Sequence, residues 1–562
     1  MDPLPPSTIL TNISPTRLNI ITAGLWLSLF ISSIEVTIVS TALFKISDDL
    51  NALTQSHWVI VAYLFTYNAF LLIMAKLSDI FGPKILLVGS NVMFLGFSVA
   101  CGSAKTMNQL IIFRAFQGIA GSAMFSLVFT VMVKMVTLEK VGLYSAIISS
   151  VFALSNLLGP VLGGVITDQS SWRWIFWMNA PVNFAAILIL GASMPAFPMP
   201  PINRALFRRM DPVGCLLSIS WAVPLVFALQ EGGASFSWTS GAILGPLIGG
   251  VAAATIFVTW ECWLGKRTLD TILPMRLFGD PVVVLVFLSV LLMGFSFYPA
   301  IILLPQRFQA VNNATPSRAG IQLLTLTLVS PVFSFLAGSL MPHRKPPAEY
   351  IILIAASLIT LGIGLMSSLP TSMATPAAIY GYEAIIGAGL GAVMPASYFL
   401  LKIHVPEGDI ASATGVTNTA RTMGGCISVS ICTALLHNSM DTGLAHILSS
   451  AQLSAIKESL ASMADLDGEL RRRVMGVFGD AYNRQFRVLV AFALCNVLVA
   501  GLLVLAIRRK ERRKLGERGG EVHEEVERRE AREDEASSGG DAHSQLERKA
   551  EQGSIEAQKE KI

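Results

Sequence analysis

Fourteen apolar runs constrain this chain more than any other feature. They lie near residues 20–44, 58–77, 85–104, 107–133, 142–166, 174–195, 212–229, 242–261, 281–304, 320–340, 350–369, 376–401, 411–436 and 487–507. Each comes close to the ~20 residues a helix needs to cross the hydrocarbon of a bilayer. None alternates as a strand would, and in lipid a segment must satisfy its backbone polar groups internally. The expectation is an all-α polytopic membrane protein whose first partner is the lipid bilayer.

Charge is scarce and unevenly placed. Only 14% of the 562 residues are charged, against about 25% in a soluble domain. Of the 41 basic and 37 acidic side chains, 14 and 15 fall in residues 508–562. That mixed-charge stretch reads as a disordered tail, its leading Arg/Lys cluster resting on anionic headgroups. A net charge of +4 without a basic, aromatic-interleaved patch excludes nucleic acid as a partner. Six cysteines without CxxC spacing give neither a disulfide frame nor a metal site. No GxxxxGK[ST] and no HExxH occurs, so the chain reads as no enzyme, needing no metal or other cofactor. The amino terminus lacks a basic n-region, and the first apolar run is too long for a cleaved signal, so it reads as a retained span.

Short-loop Lys and Arg set the orientation. With a cytoplasmic amino terminus, Lys76, Lys84, Lys134, Lys140, Arg204, Arg208, Arg209, Lys266, Arg267, Arg276, Arg344, Lys345 and Lys402 face inward. Only Lys45, Lys105, Arg173, Arg307 and Arg318 face outward, which places both termini inside. The stretch MPAFPMPPINRALFRRMD, rich in proline and then arginine, reads as a cytoplasmic hinge.

Four ionisable groups interrupt the apolar runs: Glu35, Arg114, Glu383 and Arg421. Each costs roughly 2.5–3.5 kcal/mol at mid-membrane on insertion scales, so such groups face one another or a cavity and mark ion or substrate paths. Arg114, early in the fourth run, falls near the depth of Glu35. Balanced between desolvation and a guanidinium, that acid can load and release a proton; the alternative is a fixed ion pair locking two helices. Glu383 is either a contact for a substrate cation or a polar residue bonded to Tyr380 or Tyr382. The block SNLLGPVLGG permits a close helix contact and a bend at its proline. RAFQGIAGSAMF in the fourth run and EAIIGAGLGAVM in the twelfth place glycines at matching offsets, an internal echo of the kind transporters are built on.

Four segments carry a resemblance. IEVTIVSTALF is similar to the first-helix signature lDxTIVxxALP, and AKLSDIFGPK to the loop motif GxLaDrxGrk at Asp79, Gly82 and Lys84. RAFQGIAGSA matches RxxqGxgaA at Arg114, Gln117, Gly118 and Gly121. SNLLGPVLGG matches gxxxGPxxGG at Gly159, Pro160, Gly163 and Gly164. WRWIFWMNAP and ASATGVTNTARTMGG add a sixth-helix entry and a penultimate helix. The chain resembles the fourteen-span drug:proton antiporters of the major facilitator superfamily, a branch common in fungi.

The resemblance implies a major facilitator fold: two six-helix bundles, at 20–196 and 281–507, with two additional spans at 212–261. Around them lie a cytoplasmic amino terminus at 1–19, a linker at 197–211, an extracellular or luminal loop at 437–486 and the cytoplasmic tail at 508–562. It implies alternating access by a monomer that exports a small apolar or amphipathic compound, a drug, toxin or secondary metabolite, against protons. The proton gradient is then the energy source and the cell membrane the site, a vacuolar membrane being the alternative. Glu35 and Arg114 would couple the proton, while Asp79, Gly82, Lys84 and the glycine-proline block would govern gating. A substrate cavity would draw on Trp26, Tyr63, Tyr67, Gln117, Tyr298, Glu383 and Arg421, with Phe125 and Phe295 as further aromatic candidates. The sequence departs from the pattern where Glu35 replaces aspartate, Phe44 a proline, Ala75 a glycine, and Ile80 and Pro83 basic residues. Proton-coupled uptake of a nutrient or siderophore, and a non-transporting sensor acting through its tail, are the competing readings.

Overall fold

The computed structural model describes residues 14–50, 58–137, 140–195, 211–232, 236–265, 271–314, 316–341, 347–372, 374–444, 446–449, 452 and 466–512. Fourteen helices among them are long and apolar enough to cross a membrane. They are α1 (Pro15–Asp49), α2 (Trp58–Phe81), α3 (Pro83–Gly102), α4 (Met107–Met135), α5 (Val141–Gln169) and α6 (Arg173–Ser193). Then come α7 (Pro212–Glu231), α8 (Gly241–Gly265), α9 (Pro281–Ala310) and α10 (Arg318–Leu340). The last four are α11 (Ala348–Met366), α12 (Ala378–His404), α13 (Ile410–Leu444) and α14 (Gly468–Arg512). Residues Met1–Leu503 form one compact unit; of the unit beginning at Val504, residues 504–512 are described and are helical.

Local chemistry sets the helix ends. Asp211 and Asp280 cap α7 and α9, accepting from Gly214 N and Val282 N at 2.8 and 3.0 Å, each with proline at the first helical position. Thr106 caps α4 through Gln109 N. A single residue, Gly82, separates α2 from α3, and its φ of 83° is a backbone state that a side chain would strain. At the carboxyl-terminal end of α1, Asp49 accepts from Trp172 Nε1 and Arg173 Nη1, both at 2.9 Å. These donors hold its carboxyl below the usual range.

Helix pairing follows the small residues. In the first bundle α2 packs on α4, α1 on α5, and α3 on α4 and α6; in the second, α12 packs on α10 and α11, and α9 on α13. A Cβ at Gly118 of α4 would meet Tyr63 O of α2 at 2.4 Å, and one at Gly387 of α12 would meet Leu326 O of α10 at 2.6 Å. The two bundles thus repeat one backbone contact, the geometric content of the echo between α4 and α12. The bundles meet along α5–α10 and α2–α13. The pair α7–α8 attaches through α7, which packs on α2 and α13, while α8 lies on α7 and is the least buried span.

At the lysine-rich end, which the charge rule assigns to the cytoplasm, the bundles are latched. Lys402 of α12 donates from Nζ to Val133 O at 2.7 Å and to Val136 O, the carbonyls that finish α4. An ammonium there is favoured by the helix dipole as well as by the bonds. Phe129 stacks on Tyr398 at 5.6 Å, and a Cβ on Gly415 would come within 2.5 Å of Ala75 Cβ. Lys402→Met is expected to weaken this closure by about tenfold, the value of a charged hydrogen bond. Faster labelling of a Ser412→Cys probe, one turn before Gly415, by an impermeant maleimide from the cytoplasmic face would register it. Unchanged labelling would remove the latch.

The structure corrects several boundaries. The segment 437–486, expected as a loop with an amphipathic surface helix, is helical at both described ends, where α13 continues to Leu444 and α14 starts at Gly468. Polar contacts hold that extension: Asn483 Nδ2 donates to Leu369 O and Gln485 Nε2 to Cys432 O. Arg471 likewise donates to Asn313 Oδ1. Arg307, assigned to an outer loop, is instead fully buried in the last turn of α9, donating to Pro370 O at 2.9 Å. The linker at 197–211, except Asp211, and the tail beyond Arg512 lie outside the described residues.

Candidate functional site

Glu35 and Arg114 meet in the interior of the first bundle, at 2.7 Å and with both side chains fully buried. Arg114 Nη1 donates to Glu35 Oε1 and to Gln117 Oε1 at 2.8 Å, and its Nε donates to Val59 O at 3.0 Å. The second carboxylate oxygen, Oε2, accepts from Asn179 Nδ2 at 2.7 Å. Ser98 ties the set together: its Oγ accepts from Asn179 and Gln117 and donates to Phe176 O. One helix each supplies the acid (α1) and the guanidinium with Gln117 (α4); α3 brings Ser98 and α6 brings Asn179. Asn179 starts the longer of the two helical pieces of α6, just after the break at Met178.

Two walls isolate this network. On one side the Tyr63 ring lies 4.4 Å from the Arg114 guanidinium. On the other an apolar cluster, including Ile38, Ala42, Ile46, Leu110, Trp172 and Ile175, fills the bundle toward the end where α1 finishes. A buried ion pair is held together because loss of either partner strands a charge.

Tyr63 also lines a cavity of about 300 Å³ between the bundles. Ser32, Tyr67, Asn68, Phe125 and Phe152 come from the first bundle, and Phe297, Tyr298, Ile301, Arg421 and Cys426 from the second. The Tyr63 ring therefore touches both the guanidinium that holds the acid of α1 and the cavity.

Four of the residues expected in a cavity, Tyr63, Tyr67, Tyr298 and Arg421, do line it, as does Phe125. Three others lie elsewhere. Gln117 is bound to Arg114 in the network. Trp26 donates to Ser150 Oγ at 3.0 Å and stacks on Phe30, joining α1 to α5. Glu383 is fully buried in α12 with neither oxygen hydrogen-bonded, so it meets neither Tyr380 nor Tyr382 as an acceptor. Phe295 packs on Phe492 instead of facing the cavity.

The gating residues divide similarly. Lys84 Nζ donates to Met194 O at 2.6 Å, fastening the start of α3 to the end of α6. Asp79 lies in the last turns of α2, its side chain outside the described set. Gly159 lets α5 close on α1, since a Cβ there would meet Thr37 Oγ1 at 2.0 Å. Gly163 accepts from Thr167 Oγ1, whereas a Cβ on Gly164 would enter open space; Pro160 lies inside the unbroken helix α5. Sequence reasoning missed Asn179 and Ser98, whose one signal is a polar residue inside an apolar run. It also missed Glu261, fully buried in α8 and accepting from Leu273 N.

The comparisons agree with this architecture. The family model of the Major Facilitator Superfamily matches residues 25–429. The chain is 38% identical over 508 residues to the MFS-type transporter FPY5 of Fusarium mangiferae, covering 88% of this chain and 85% of that one. It is 31% identical over 490 residues to the efflux pump dotC of Dothistroma septosporum, covering 85% and 82%. Among solved structures, a bacterial homologue of the human lysosomal transporter Spinster superposes with a TM-score of 0.55 at 15% identity, over 89% of this chain and 99% of that one. With two latched bundles, a cavity between them and a matching family model, the chain belongs to the major facilitator superfamily of membrane transporters.

Proposed function

We propose that the chain exports small apolar or amphipathic compounds in exchange for protons, as a monomer in the plasma membrane. The observation that carries this reading is the placement of the Glu35–Arg114 pair directly behind Tyr63, a wall of the cavity. A proton arriving on Glu35 cancels the ionic bond and leaves Arg114 held by Gln117, Val59 O and the Tyr63 ring. The guanidinium then draws harder on these neutral partners, and Tyr63 carries that change to the cavity surface. Protonation and cavity shape are coupled through one side chain, as an antiporter requires.

The likeness to a fungal efflux pump supports outward transport, and the plasma membrane is where an inward proton gradient serves export. No second energy source is invoked. Inside-out vesicles holding the protein should accumulate an exported compound when their lumen is acidified and lose it when a protonophore collapses the gradient. Accumulation that ignores the gradient would remove the proton coupling. Accumulation driven only in right-side-out vesicles would reverse the direction.

A further inference from the structure

Three arginines are buried in the described spans, and they are served unequally. Arg114 has a carboxylate, and Arg307 has a backbone carbonyl and an amide oxygen. Arg421 of α13, only 3% exposed, has neither: its Nε is without a hydrogen-bond partner, and among the described residues no acidic side chain lines its cavity. Three phenylalanine rings surround the guanidinium instead, Phe125 at 5.1 Å, Phe297 at 5.3 Å and Phe152 at 5.6 Å. Each ring face offers attraction of about 0.5–2 kcal/mol, which orients the cation without neutralising it. The central cavity also meets a smaller chamber lined by Phe129, Leu326, Leu390 and Met394, and Arg421 lines both.

A cavity built this way selects by charge. A planar guanidinium with unspent donors binds a carboxylate in a two-point contact, or an enolate through its one oxygen, and burial strengthens that bond. An organic cation there meets like charge at low dielectric, with no carboxylate in the lining to offset it. The flanking Phe152, Phe297, Tyr67 and Tyr298 offer a flat conjugated body surfaces to lie against. At about 300 Å³ the space is at the small end for ligand cavities.

We infer that the central cavity is an anion site: its substrates are small planar conjugated acids, bound by their carboxylate or enolate on Arg421 between the phenylalanine rings. The inference rests on the exporter reading for the direction of transport only; binding itself needs no gradient. Anthracene-9-carboxylate, its methyl ester and 9-(aminomethyl)anthracene share one ring system and differ in charge. Their affinities for the purified protein in lipid nanodiscs, corrected against empty nanodiscs, should rank acid over ester and cation by about tenfold or more. Arg421→Gln should bring the acid down to the level of the ester, with Arg421→Lys retaining part of the preference. Phe152→Leu should weaken acid and ester together.

A cation that binds the wild-type protein as tightly as the acid would overturn the inference, and so would an unchanged acid affinity in Arg421→Gln. The charge series on the wild-type protein decides the matter even if Arg421→Gln does not fold. Acid binding without gradient-driven transport would sink the exporter reading and leave this one standing. Gradient-driven transport of the cation, with the acid bound no better, would do the reverse.

Discussion

Glu35→Gln is expected to reduce gradient-driven accumulation in inside-out vesicles to the passive leak while the protein still folds. Glutamine keeps the size of glutamate, and its carbonyl oxygen can still accept from Arg114 Nη1, as Glu35 Oε1 does at 2.7 Å. What it cannot do is gain and lose a proton. Removing one member of a buried ion pair ordinarily destabilises by about 3–5 kcal/mol, because the other charge is left uncompensated. Here Gln117, Val59 O and Tyr63 remain around Arg114, so the loss should fall well short of that. Arg114→Met lacks this protection: an ionised Glu35 would lose its counter-charge and keep neutral partners such as Asn179, and the full penalty is expected as lost thermal stability in detergent. Proton-driven accumulation by Glu35→Gln at the wild-type rate would show that the pair is a structural lock. The charge-swapped double variant, Glu35→Arg with Arg114→Glu, tests the direct pairing.

Gly118→Val should be strongly damaging to the first bundle. The first added carbon would stand 2.2 Å from Thr66 Oγ1 and 2.4 Å from Tyr63 O. The second of these is backbone, so relief requires α2 and α4 to separate. Separation would break the Thr66 Oγ1 to Ala115 O bond of 2.7 Å and move Tyr63, which both covers Arg114 and lines the cavity. Overpacking a tight contact costs about 1–3 kcal/mol or more. Folded yield and melting temperature should both fall, and the residual protein should transport poorly. Gly96→Val, on an exposed face of α3 with nothing within 4 Å of the new carbon, should match wild type. Equal behaviour of the two variants would mean that α2 and α4 are not packed as described.

The spans and the ion pair were legible because lipid punishes exceptions. An apolar run of twenty residues has few alternatives to a helix, and two opposite charges within such runs have few alternatives to each other. Legibility failed where a side chain's direction around its helix decided the outcome. Gln117 lies three residues after Arg114, a spacing that fits one helix face, yet that face turns into the bundle and away from the cavity. Glu383 stands where Arg114 stands in the glycine pattern, four residues before the glycine that contacts the neighbouring backbone. Pattern alone could not show that it would be left without a partner. How far the helices run beyond the last two apolar runs was hidden for another reason. α13 and α14 extend with polar residues whose hydrogen bonds, such as that of Gln485 to Cys432 O, are made across the fold.

Arg421 has an electrical consequence. Among the described residues it is the one ionic side chain lining the cavity, which gives the empty cavity one positive charge and a cavity filled by a monoanion none. A membrane potential does work of about 2.3 kcal/mol per elementary charge per 100 mV on whatever charge crosses its field. Under the proposed exchange, the filled cavity offers that field little to act on as the bundles rock. The empty one presents its arginine, and a negative interior pulls that charge toward the cytoplasmic opening. Voltage should thus act mainly on the return of the unloaded carrier, resetting it for the next substrate.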